Sequence, residues 1–200
     1  MRLLVITARY PTPDRPAAGA FVRDRLAGVD ADVIAPSRYD LPGWRRYLSI
    51  AWRALTARRH YDGVEGHFVL PSGAIALLAA RLRGIPLIVY AHGRDVREMA
   101  HRNVGFRWLA RRVLHGAAAV ATNSDETAGL VRALGADAVV IPPGIDIRRF
   151  HPSPRPAGRR VLYLGGDLEH KGVAIARRLA DTLLGPGIRE VDPSQIPELL

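Results

Sequence analysis

The sequence predicts an α/β fold: a Rossmann-like parallel sheet with helices on both faces, followed by an incomplete second α/β unit. Three observations predict it. Short apolar runs alternate with helix-length segments through residues 1–146, and the connections are long enough for right-handed crossovers between parallel strands. Polar and turn-forming residues gather after the apolar runs, at the edge where open parallel sheets bind ligands. Residues 151–158 then hold three prolines and a glycine, a semi-rigid linker leading to one more strand and a glycine-rich turn.

Residues 3–7, Leu-Leu-Val-Ile-Thr, suit a buried first strand. A loop with Pro11, Pro13 and Pro16 precedes a helix over 19–28, and residues 32–35 give the second strand. Over 44–59, Trp44, Leu48, Ala51, Trp52 and Leu55 recur at helical spacing. Residues 64–69 form the third strand, and Ser72 can cap an apolar helix through 82. The fourth strand is 86–91, helices cover 95–100 and 105–114, and the fifth strand is 118–122. A helix over 125–134 and a sixth strand over 138–141 complete the first unit. Beyond the linker a strand begins at Arg160, with helices over 173–184 and 193–200. This last unit, about 40 residues, is too small to bury an α/β core alone, so the chain is expected to stop partway into a second domain.

Net charge is +10, and its distribution is uneven: residues 1–150 carry 22 Arg against 13 acidic residues, whereas residues 151–200 are nearly balanced. Any anionic partner is therefore sought in the first part. The absence of cysteine excludes disulfides and thiolate metal sites and fits a reducing compartment. The apolar run at 3–6 is too short for a signal peptide, and no run approaches the ~20 residues of a membrane span. The expectation is a soluble cytoplasmic protein, either free or peripheral at the inner face of the membrane.

The polar residues after the strands, His67, His92 to Asp95 and Asn123-Ser124 among them, should converge on one crevice. In Ala91-His92-Gly93-Arg94-Asp95 the glycine permits a close turn and leaves an imidazole at the strand end. Asp95 either faces that crevice or caps the next helix. Lys171 is the one lysine among 29 basic residues, in Leu164-Gly165-Gly166-Asp167-Leu168-Glu169-His170-Lys171-Gly172. Such a turn can offer backbone N–H groups and an ammonium to a phosphate, or be a solvated surface turn. Asp30-Ala-Asp32 precedes a strand, on the wrong edge for a metal–nucleotide site, and no metal ligand set is assigned. No P-loop, nucleophile elbow or Gly-x-Gly-x-x-Gly is present. The 44–59 helix, with five arginines and no acid across 41–61, either rests on an anionic membrane or packs its Trp/Leu stripe on the sheet. Nucleic acid is not expected, since no recognised binding motif accompanies the charge.

Several stretches together resemble glycosyltransferases of family 4 (group 1), which have the GT-B architecture. They are residues 3–19, Glu65-Gly-His-Phe-Val-Leu-Pro-Ser-Gly73, residues 83–95, Val140-Ile-Pro-Pro-Gly-Ile-Asp146 with Arg149-Phe150, and residues 161–172. The resemblance implies an acceptor-binding domain over 1–150, a linker over 151–159 and the start of a nucleotide-sugar donor domain over 160–200. It places His92 beside the transferred sugar and Lys171 on the donor diphosphate, with Gly165 and Gly166 in the donor turn. Gly19, His67, Arg94, Asp95, Asn123 and Ser124 are the expected acceptor or cleft residues. The family usually has arginine where Gly166 stands, and the chain ends before the family's paired glutamates. The implied activity is retaining transfer from a nucleotide-diphosphate sugar to an acceptor, with little turnover by these 200 residues alone. The competing expectation is a non-catalytic module that binds an acceptor or an anionic membrane surface.

Overall fold

The computed structural model describes residues 1–99, 102–144, 147–148, 161–165, 167, 169–185 and 188–189. The Pro-rich linker, the 193–200 helix, Gly166, Asp146, Arg149 and Phe150 lie outside the described residues. The chain divides into two compact units, residues 1–10 with 21–143, and residues 11–20 with 144–200.

The first unit is built on six parallel strands: β1 (Leu3–Thr7), β2 (Ala31–Ile34), β3 (Gly63–His67), β4 (Leu87–Ala91), β5 (Ala119–Thr122) and β6 (Val139–Val140). Their spatial order is β2-β1-β3-β4-β5-β6, so the chain reverses its direction of travel across the sheet between β1 and β3. The connecting helices are α1 (Ala20–Arg25), α2 (Gly43–Thr56), α3 (Ser72–Arg83), α4 (Val104–His115) and α5 (Asp125–Ala133). A π-helical turn spans Asp95–Met99, where an ordinary helix was expected.

Strand alternation divides the sheet into two unlike faces. Leu4 and Ile6 of β1 join Ile50, Ala54, Ala76, Leu77, Val113, Leu114 and Val131 in the main core, so α2 to α5 cover one face. On the other, Leu3 and Val5 meet Val22 of α1 and Leu26, just after it, in a small second cluster. Gly66 shows how closely the first face is packed: a Cβ there would lie 2.8 Å from that of Ala76 on α3. Glycine at this strand position therefore lets α3 sit down on the sheet.

The phase of α2 differs from one of the two expectations. Trp44, Leu48 and Trp52 are exposed, and Ile50 and Ala54 face the sheet instead. Tyr47 and Leu55 flank that buried pair, so a small apolar seam replaces the aromatic one. The aromatic stripe does not pack on the sheet.

In the second unit β7 (Leu162–Leu164) pairs in parallel with β8 (Thr182–Leu184), with α6 (Val173–Leu179) between them. The helix expected to run to residue 184 stops at Leu179. Ala180 turns extended, and Asp181 accepts the Val161 N–H at 2.8 Å, which starts a strand. Leu183-Leu184 satisfies helical and strand patterns alike, and pairing with β7 decides between them.

Candidate active site

The register aligns Thr7 of β1 with His67 of β3, and His67 with Tyr90 of β4. Glu65 and His67 thus stand on the same face as Val5, the face covered by α1. Both are fully buried at 0% exposure. A carboxylate buried in a central strand requires a partner, because its desolvation is otherwise uncompensated. Arg25, on the last turn of α1, supplies it: Nη2 lies 2.5 Å from Glu65 Oε2. The same guanidinium stacks over the Tyr90 ring at 5.6 Å.

The other Glu65 oxygen, Oε1, lies 2.6 Å from His67 Nε2. Its angle departs from that of an ideal hydrogen bond, and neither atom has another polar partner among the described residues. The distance is the better guide, because two buried polar atoms this close must share a proton or repel. Across the ring, His67 Nδ1 lies 3.0 Å from His92 Nε2. With the carboxylate facing Nε2, a His67 that carries a single proton holds it on Nε2 and accepts at Nδ1. His92 must then donate from Nε2, and its Nδ1 is left as a lone pair. Arg25, Glu65, His67 and His92 thereby form one polar chain.

His92 is fixed by packing as well. Its ring lies nearly parallel to His67 and Tyr90, with centroids 5.3 and 4.9 Å away, and Phe21 and Phe68 press against it at 4.7 Å each. Burial, then His67, then Arg25 lower its pKa from 6.5 to about 3. The imidazole is therefore neutral near pH 7, an acceptor rather than a cation. Phe68 has φ 70, a left-handed conformation uncommon for a bulky residue. Its carbonyl accepts the Gly73 N–H at 2.9 Å.

Asp95 performs a different task from either one expected. It is buried, and its carboxylate accepts the N–H of Val69 at 2.6 Å and that of His92 at 3.0 Å. It ties the end of β3 to the end of β4, holding the loop that carries His92. Burial pushes its pKa up, opposed by these backbone donors.

The remaining expected residues separate. His67 is buried behind His92 and does not line an open cleft. Arg94 is exposed and paired with Glu98 at 2.7 Å. Ser124 caps α5, accepting the Thr127 N–H at 3.3 Å, while Asn123 Oδ1 accepts from the Thr127 hydroxyl at 3.1 Å. Asp30 and Asp32 pair with Arg2 and Arg59, as ordinary surface ion pairs at the amino ends of the strands. In the second unit Gly19 has φ 68, Gly165 donates its N–H to Leu184 O at 3.2 Å, and Lys171 is exposed just before Gly172, which has φ 77. Sequence reasoning missed Arg25, Glu65, Tyr90 and both phenylalanines. The signal for Glu65 was an acid flanked by Val64 and Gly66 in a strand expected to be buried.

The family described as the glycosyl transferase 4-like domain matches residues 1–144. A D-inositol 3-phosphate glycosyltransferase of Actinosynnema mirum is 30% identical over 165 residues, covering 76% of this chain and 39% of the relative. A Bacillus subtilis glycosyltransferase provisionally assigned to teichuronic acid biosynthesis, TuaC, is 25% identical, covering 75% of this chain and 51% of the relative. The chain thus spans less than two thirds of either relative's length. Among solved structures, a Listeria monocytogenes protein provisionally assigned as a UDP-N-acetylglucosamine 2-epimerase shares the fold, with a TM-score of 0.51 and 13% identity. That match covers 99% of this chain and 65% of the other.

Proposed function

Because the chain belongs to the glycosyl transferase 4-like family, we propose that residues 1–150 form the acceptor side of a retaining, nucleotide-sugar-dependent glycosyltransferase and residues 160–200 begin its donor side. The observation that supports this most is His92. A neutral imidazole stands at the carboxyl edge of the sheet, beside the β1/β3 reversal, with its Nε2 hydrogen-bonded inward to His67. Such a group accepts a hydrogen bond from a sugar hydroxyl and orients it without placing a competing cation beside the reacting centre. In the transfer, the bond between the anomeric carbon and the donor diphosphate breaks, and a bond to the acceptor oxygen forms. The acceptor proton passes to the departing phosphate. Lys171 is the residue we assign to the developing charge on that diphosphate, with Gly165 and Gly166, just before it in the sequence, as the other donor-binding residues.

The name of the Actinosynnema mirum relative makes a polyol phosphate the first acceptor to test. In histidine-labelled protein, D-inositol 3-phosphate should displace the His92 ring resonances more than inositol does. Unmoved His92 signals at saturation of binding would remove His92 from the acceptor site. For the donor side, calorimetry with UDP and GDP should show Lys171→Ala weakening binding by roughly 1.5–3 kcal/mol, the loss of a charge-assisted phosphate contact. Equal affinities in the two proteins would take Lys171 out of the assignment.

A further inference from the structure

We infer that the outer surface of the α2–α3–α4 layer docks on an anionic lipid bilayer. All three tryptophans of the chain lie on this layer and all are exposed: Trp44 at 65%, Trp52 at 69% and Trp108 at 62%. Large aromatic residues normally supply core or interface area, and none of these is used in the core. On α2, Leu48 lies between Trp44 and Trp52 at i, i+4 and i+8, so the three share one outward stripe. On α3, Leu78 and Leu82 are exposed at the same spacing. On α4, Val104 and Trp108 repeat it.

These stripes belong to one surface, because α2 packs against α3 and α3 against α4 on the same face of the sheet. The charge on that surface is of one sign. None of the three helices contains an acidic residue, whereas they carry eight arginines between them. Arg45 stacks over Trp44 at 5.2 Å and Arg112 over Trp108 at 5.7 Å, so cation and aromatic ring are presented together. The pattern ends at α5, where Asp125 and Glu126 stand in the first turn.

The chemistry selects the occupant. Arginines draw the surface to anionic headgroups through charge attraction. Tryptophan and leucine require an apolar layer just beneath those headgroups, which a bilayer interface provides and a phosphodiester backbone does not. Arginine stems lie along the boundary while their forks stay hydrated. No helix among the described residues is long and apolar enough to cross a membrane. This inference rests on the face opposite His92 and is independent of the transfer chemistry.

Tryptophan emission tests it directly, since every fluorophore of that type lies on the proposed surface. Adding vesicles of phosphatidylcholine with 30% phosphatidylglycerol to the whole chain should shift emission to the blue, and shallow-depth brominated lipid should quench it. Pure phosphatidylcholine should do neither. Arg45→Glu and Arg112→Glu together should weaken vesicle binding by about tenfold or more, with the circular dichroism spectrum unchanged. Trp52→Ser with Trp108→Ser should weaken it independently of ionic strength. An unshifted emission with anionic vesicles would overturn the inference. So would a blue shift produced by raising protein concentration, which identifies a second copy as occupant, or by duplex DNA in place of vesicles.

Discussion

The two faces of the six-stranded sheet are built from the same strands yet solve different problems. On the face covered by α2 to α5, the strands contribute Leu4, Ile6, Val64, Leu87 and Val89, all apolar and buried. On the face covered by α1, the same strands contribute Thr7, Glu65, His67 and Tyr90, of which Glu65 and His67 form a polar chain leading to His92 and Tyr90 stacks on both imidazoles. The first face gains stability from apolar area removed from water. The second gives up some of that gain to bury a carboxylate and two imidazoles, which it offsets with Arg25 and mutual contacts. Within one sheet, a shift of one residue along a strand separates scaffold from chemistry.

The largest effect should come from the scaffold side. Leu4→Ala removes a fully buried side chain, and urea denaturation should show a loss of about 3–5 kcal/mol. The tautomer and titration of His92 should be unchanged in that variant. An altered His92 signal would mean that the two faces are energetically coupled and the contrast drawn too sharply.

Next is the acid limb. His92 has a folded pKa of about 3 against 6.5 for the free side chain. Between those values the unfolded chain holds the extra proton, so stability falls as pH drops from about 6.5 towards 3, by up to about 4 kcal/mol. The groups facing His92 are Arg25 from α1, Glu65 and His67 from β3, Tyr90 from β4 and Asp95 from the following turn. Asp95 acts in the opposite sense: its raised pKa gives stability that is lost as pH rises through the folded value. Comparing wild type with His92→Phe isolates the histidine, and the extra acid slope should disappear in the variant. A slope that survives would assign the acid sensitivity elsewhere.

A smaller effect, about 1–3 kcal/mol, should follow Glu65→Gln, because Arg25 is 36% exposed and keeps water when its partner's charge is removed. The informative readout is the imidazole nitrogen spectrum. With an amide in place of the carboxylate, the Nε2-H form of His67 loses its electrostatic support, and the tautomers of both histidines should redistribute. Unchanged tautomers would mean that Glu65 acts only through packing. The smallest change is Ser124→Ala, which should cost about 1 kcal/mol through loss of the α5 cap and leave ligand binding intact. A large binding defect there would return Ser124 to the cleft.

Much of this was legible because it is local. Leu3–Thr7 and Leu87–Ala91 are continuous apolar runs of strand length, and the Ser72–Arg83 helix ends at Gly84 in the left-handed conformation. The position of His92 just after a strand also follows from chain order. The phase of α2 did not follow, because Trp44, Leu48 and Trp52 have the spacing of a core stripe whether or not anything covers them. Nor did the role of His67, whose partners Glu65 and Arg25 come from another strand position and another helix.

The sequence by itself determined the alternation of strands and helices, the edge at which functional residues gather, and the resemblance that names the family. Periodicity, turn chemistry and motif order are properties of neighbours along the chain, so they survive without the fold. Only the tertiary structure decided which sheet face each side chain joined, which tryptophans were left in water, and that Arg25, 40 residues from Glu65, completes its charge. Those outcomes depend on register and on competition between surfaces for burial, and neither is encoded within any one segment.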